Sequence, residues 1–177
     1  PYLRGKQFEL IALREFATQH PNAEKIVPII EPVKSTFNGL TTATKVMFER
    51  QLHFALVLNP TDGDFKRVKK DILSELPILR QNTDKWIPSF LYHNNEDEIL
   101  STIQVQELSN VMIIFKNGIV INDSVSHLLS NPQIQYIING DSNSRIGMRE
   151  LRRLENKKII RLDSCFVEQP RNIDYLN

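Results

Sequence analysis

The chain has 177 residues, 41% of them hydrophobic and 24% charged, the proportions of a soluble globular protein with room for one domain or at most two small ones. Lysine and arginine number 22 against 21 aspartates and glutamates, and the net charge of +1 excludes a broadly basic nucleic-acid coat and an acidic disordered tail. The single cysteine, Cys165, excludes an internal disulfide and a multi-cysteine zinc site and points to a reducing, cytoplasmic setting. No apolar run approaches the roughly 20 residues of a bilayer span and no signal peptide is visible, so no membrane partner is expected. Beginning at Pro1, the chain reads as one α/β domain over residues 1–177, cut from a longer protein.

Along the chain, β-rich apolar runs alternate with stretches of helical spacing. A weak run at Tyr2-Leu3-Arg4 comes first, and Phe8, Ile11, Ala12 and Phe16 then predict a helix. The next strands are predicted over Lys25–Glu31 and Phe54–Asn59. Phe65, Val68, Ile72, Leu76 and Leu79 form a stripe at helical spacing, with Asp62-Gly63-Asp64 as a capping turn and Pro77 as a late kink or stop. Strands follow over Trp86–His93 and Val111–Lys116, separated by a helix with Ile99 and Ile103 on its apolar face and Asn95 with Glu98 as a capping box. Ile134–Asn139 and Lys158–Asp163 complete the set, with a short basic helix predicted near Ile146 to Leu154.

Several of these runs are continuously apolar, as in strands covered on both faces. Repeated strand–helix–strand units mean right-handed parallel crossovers. The expected fold is therefore a β/α-barrel-like (TIM-type) repeat of seven units, an incomplete barrel because a closed one takes eight units and about 250 residues. The alternative is an open doubly wound parallel sheet, against which stands the lack of a Gly-x-Gly-x-x-Gly turn among only six glycines.

In either architecture the site lies at the carboxyl ends of the strands. Arg4, Glu31, Asn59, His93, Lys116, Asp141 and Asp163 close successive strands there, each able to hold a proton, a metal or an anion. Glu31, after Ile29-Ile30 and before Pro32, is the leading candidate for a metal ligand or general base. Glu31, Asp141 and Asp163 together offer oxygen ligands to Mg²⁺ or Mn²⁺. His93 is the histidine placed at a strand end, suited to proton transfer. Arg4, Lys6, Lys34 and Lys116 would bring positive charge to the same mouth. Each residue also has a plain structural reading, because strand ends meet solvent and Asp or Asn there caps the following helix. Arg145, Arg149, Arg152, Arg153, Lys157 and Lys158 make a basic face without interleaved stacking aromatics, so nucleic acid is not an expected partner.

The opening Pro1-Tyr2-Leu3-Arg4-Gly5-Lys6-Gln7-Phe8-Glu9 through Ala12-Leu13, followed by Ile26-Val27-Pro28-Ile29-Ile30-Glu31-Pro32, resembles the bacterial and phage "Beta protein" family. Leu58-Asn59-Pro60 and Arg171-Asn172-Ile173-Asp174-Tyr175 are similar to further segments of that family. Its members run longer than this chain and carry no established activity. The resemblance therefore implies a fold and a phage-related or defence setting, and it sets Arg4, Lys6, Glu31 and Lys34 in motif segments.

The function these residues point to is metal-assisted hydrolysis of a phosphate-bearing substrate. Glu31, His93 and Asp163 would be catalytic, Glu31, Asp141 and Asp163 the metal ligands, and Arg4, Lys6, Lys34, Asn59 and Lys116 the substrate contacts. The alternative is a non-catalytic interaction module of a phage-related or defence assembly, binding a protein partner or a second copy of itself.

Overall fold

Seven strands run parallel in one sheet whose spatial order follows the chain: β1 (Tyr2–Leu3), β2 (Ile29–Ile30), β3 (Phe54–Val57), β4 (Trp86–Leu91), β5 (Val111–Phe115), β6 (Ile134–Asn139) and β7 (Lys158–Arg161). The computed structural model describes residues 1–140, 151, 154 and 156–162. The sheet curls as half a barrel, with β1 and β7 at the ends of its order. The expected α/β class stands, and an open parallel sheet fits, without the reversal of strand order that marks a doubly wound one.

Among the described residues, five α-helices lie in the connections from β1 to β6: α1 (Gln7–Gln19), α2 (Asn38–Glu49), α3 (Ile72–Glu75), α4 (Glu96–Val105) and α5 (Asp123–Ser130). Because strand side chains alternate, strands β1 to β6 each serve clusters on both faces of the sheet. Towards the helices, Ile30, Phe54, Leu56 and Trp86 pack on α1, α2 and α3. Farther along, Phe90, Val111, Ile113, Phe115 and Ile137 pack on α4 and α5. On the concave side the cluster consists of strand residues alone: Ile29, Ala55, Val57, Leu91, Met112, Ile114 and Ile138. Curling allows these side chains to bury one another without a second helical layer. None of the helices among the described residues is long and apolar enough to cross a membrane.

All seven predicted strands are present, most of them shorter than their apolar runs. β2 is cut to Ile29–Ile30 because Pro28 and Pro32, which have no N–H to donate, bracket it. The helices need three corrections. In α1 the buried residues are Leu10, Leu13 and Ala17, and Phe8 is 81% exposed. Both stripes have helical period, so the direction of the chain out of Gly5, at φ +58°, decides which one meets the core. The stripe from Phe65 to Leu79 is not one helix but a 3-10 turn at Gly63–Lys66, then α3, then a second 3-10 turn at Pro77–Leu79. Asp71 restarts the helix by accepting from Leu73 N–H, Pro77 opens the second turn, and Val68 is left 40% exposed. At α4, Asn95 forms no capping box; its Oδ1 accepts instead from His93 N–H at 3.0 Å. The predicted basic helix falls largely outside the described residues.

Candidate functional site

Alternation along β2 puts Glu31 on the same side as Ile29, and along β5 it puts Lys116 on the side of Met112 and Ile114, the concave one. Three strand spacings separate β2 from β5, about 14 Å on a flat sheet. Side chains standing out of the sheet meet across that span because the sheet curls. Lys116 Nζ donates to Glu31 Oε2 at 2.7 Å. The Tyr2 hydroxyl donates to the same oxygen at 2.7 Å, and Thr61 N–H approaches Oε1 at 3.4 Å. Glu31 is 1% exposed, whereas the Lys116 side chain, just past the carboxyl end of β5, is 36% exposed. The Lys116 ammonium also stands 5.3 Å from the centroid of the Tyr2 ring, within cation–π range. Burial pushes the Tyr2 phenol well above its ordinary pKa, and its hydrogen bond to the Glu31 carboxylate pushes in the same direction, so it remains a donor.

The other expected site residues are held in different ways. Arg4 pairs with Asp62 at 2.9 Å, and Lys66 reaches the same carboxylate at 3.5 Å. Lys34 lies 3.7 Å from Asp64. The backbone N–H and hydroxyl of Ser35, together with Lys34, hold the Asp64 carboxyl below the usual carboxylate range. Asp62 and Asp64, expected to cap a helix, thus neutralise two of the cations assigned to substrate. Asn59 extends the β3–β4 ladder beyond its last backbone pair: its Nδ2 donates to Leu91 O at 2.9 Å and its Oδ1 accepts from Leu91 N–H at 2.8 Å. His93 is exposed and lines a cavity of about 460 Å³ with Asn59 and Thr61. Lys6 lies at the start of α1, where its backbone N–H donates to Glu9 Oε2 at 2.9 Å.

Asp141 and Asp163, along with Cys165, Arg145, Arg149, Arg152 and Arg153, fall outside the described residues. Among the described residues no three His, Cys, Asp or Glu side chains cluster as a metal site. Glu31 moreover already has an ammonium where a cation would sit. Two of the three expected oxygen ligands thus lie outside the described residues, and Glu31, the one described, presents its ammonium partner to an incoming anion. Sequence reasoning missed Tyr2 and Thr61. Tyr2 was legible in principle, since its register opposite Ile29 gives it the same phase; the approach of Thr61 depends on the path of a loop. Compared with known proteins, the chain matches no family model, no curated protein and no solved structure.

Proposed function

We propose that the curled sheet is part of a β/α barrel and that its mouth binds a phosphate-bearing small molecule on Lys116, with hydrolysis of a phosphoester as the reaction served. The observation carrying this reading is the ion pair between Glu31 and Lys116, buried at its carboxylate and open at its ammonium. Taking a carboxylate out of water is costly, and a buried ion pair is weak evidence for stability. Its position at the carboxyl ends of parallel strands supports a role in binding. Lys116 would donate to a phosphate oxygen and offset its charge, while Glu31 keeps the ammonium aimed. Glu31 Oε1, with one long contact from Thr61, is the acceptor available for a proton from attacking water. The likeness of the opening segments to the Beta protein family adds a phage-related or defence setting to the proposal. The rival interaction module draws on β1 and β7, each paired on one side only among the described residues.

Isothermal titration of the full chain with inorganic phosphate tests the reading. Lys116→Gln should weaken binding about tenfold through loss of one charge-assisted hydrogen bond. Equal binding by both proteins would sink the mouth site, and no phosphate binding with a native mass twice that of the monomer would favour the rival. A rise in melting temperature with Mg²⁺ or Mn²⁺ alone would overturn the assignment of Glu31 as partner to Lys116.

A further inference from the structure

A second cavity, of about 750 Å³, opens between the first half of α1 and the start of α2. Its volume is within the range of small-molecule sites, roughly 300–1,000 Å³. None of Tyr2, Glu31, Thr61 or Lys116 lines it, so it is separate from the mouth. The floor is apolar: Leu10, Val33 and Leu40 are buried and Ile11 is half-buried. Gly39 supplies the width, since a Cβ there would stand 3.4 Å from Leu10 Cδ1 and a longer side chain would fill the space.

Charge is arranged along the length of this cleft. Lys6, at the start of α1, and Lys34 both line it, and so does Arg14, two turns farther along the helix. Eight residues of helix separate Lys6 from Arg14, an axial distance of about 12 Å. Neither makes an ion pair with an acidic side chain among the described residues. Asp64 also lines the cleft, but its carboxylate is occupied by Ser35 and Lys34. An apolar trough with these two cations set along it is complementary to a molecule with an apolar middle and an anion at each end.

We infer that the α1–α2 cleft is a binding site for an elongated dianion of the aliphatic dicarboxylate class, with one carboxylate at Lys6 and the other at Arg14. A monocarboxylate of the same length would leave one cation unused, so preference for two anionic ends is the mark of the site.

The experiment is isothermal titration of the full chain with sebacate and with decanoate, accompanied by amide chemical-shift mapping. Sebacate should bind about tenfold more tightly than decanoate, the worth of one additional charge-assisted contact. Arg14→Gln should remove that preference while decanoate affinity is retained. Gly39→Leu, which suits a helix and occupies the cleft, should abolish binding of both with the circular dichroism spectrum unchanged. Shifts should fall on Leu10, Ile11 and Gly39. Equal affinity for the two ligands, a preference that survives Arg14→Gln, or shifts confined to Glu31 and Lys116 would each overturn the inference. The last of these outcomes would leave the mouth site standing.

Discussion

Replacing Lys116 by methionine isolates the energetics of the concave face. The substitution keeps the length of the side chain and removes the charge opposite a carboxylate that is 1% exposed. Deleting one partner of a fully buried pair costs about 3–5 kcal/mol, because the other charge is left uncompensated. Two features lower that figure here. Lys116 is 36% exposed, so water screens the pair, and Tyr2 still donates to Glu31 at 2.7 Å. A loss of about 2–3 kcal/mol is expected from these screening and residual-donor terms. At roughly 2–4 °C per kcal/mol for a chain of this size, the melting temperature should fall by about 4–12 °C. Glu31→Gln should cost less, about 1–2 kcal/mol, since the freed ammonium can turn to solvent. Combining the two changes leaves no buried charge, so the double variant should be more stable than Lys116→Met alone. Urea denaturation of the four proteins gives the coupling directly. Strict additivity of the two losses, or a Lys116→Met loss below about 0.5 kcal/mol, would refute the argument that Glu31 is a buried charge dependent on Lys116.

Two further outcomes follow from the loop between β3 and α3. Gly63 has φ +64°, and a Cβ there would overlap the Val33 carbonyl, which accepts from Asp64 N–H at 2.9 Å. Gly63→Ala should therefore cost at least about 2 kcal/mol by urea denaturation, and a neutral result would mean that this loop is free to move away from the β2–α2 turn. Asp64 has its folded-state pKa held below the unfolded value by Ser35 and Lys34, so its contribution is present above the unfolded pKa and is lost as pH falls through the folded one. Stability should drop below about pH 4, and Asp64→Asn should flatten that part of the profile; an unchanged slope would show that the interaction does not persist in solution.

Much of the fold is legible in the sequence because its signals are local. Runs such as Val111–Phe115 and Ile134–Asn139 are apolar without interruption, which marks strands covered on both sides, and the short connections between units compel parallel crossovers. Helical period is less decisive. It did not choose between Phe8–Phe16 and Leu10–Ala17 in α1, and from Phe65 it carried one helix past Asp71, whose side chain caps a new start, while Pro77 ends the helix as its missing N–H implies.

For the site, the residue types and their location at strand ends were readable one strand at a time. The sequence by itself determined that Glu31 and Lys116 close β2 and β5, since a period of two and the end of an apolar run are properties of neighbouring residues. Only the tertiary structure decided that these two meet 85 positions apart, while Arg4 and Lys34 go to Asp62 and Asp64 and Asn59 goes to the backbone of Leu91. Which cation meets which carboxylate depends on how far the sheet curls and where the loop after β3 runs. Both are set by packing among residues distant in sequence, because a side chain carries its charge but not the address of its partner.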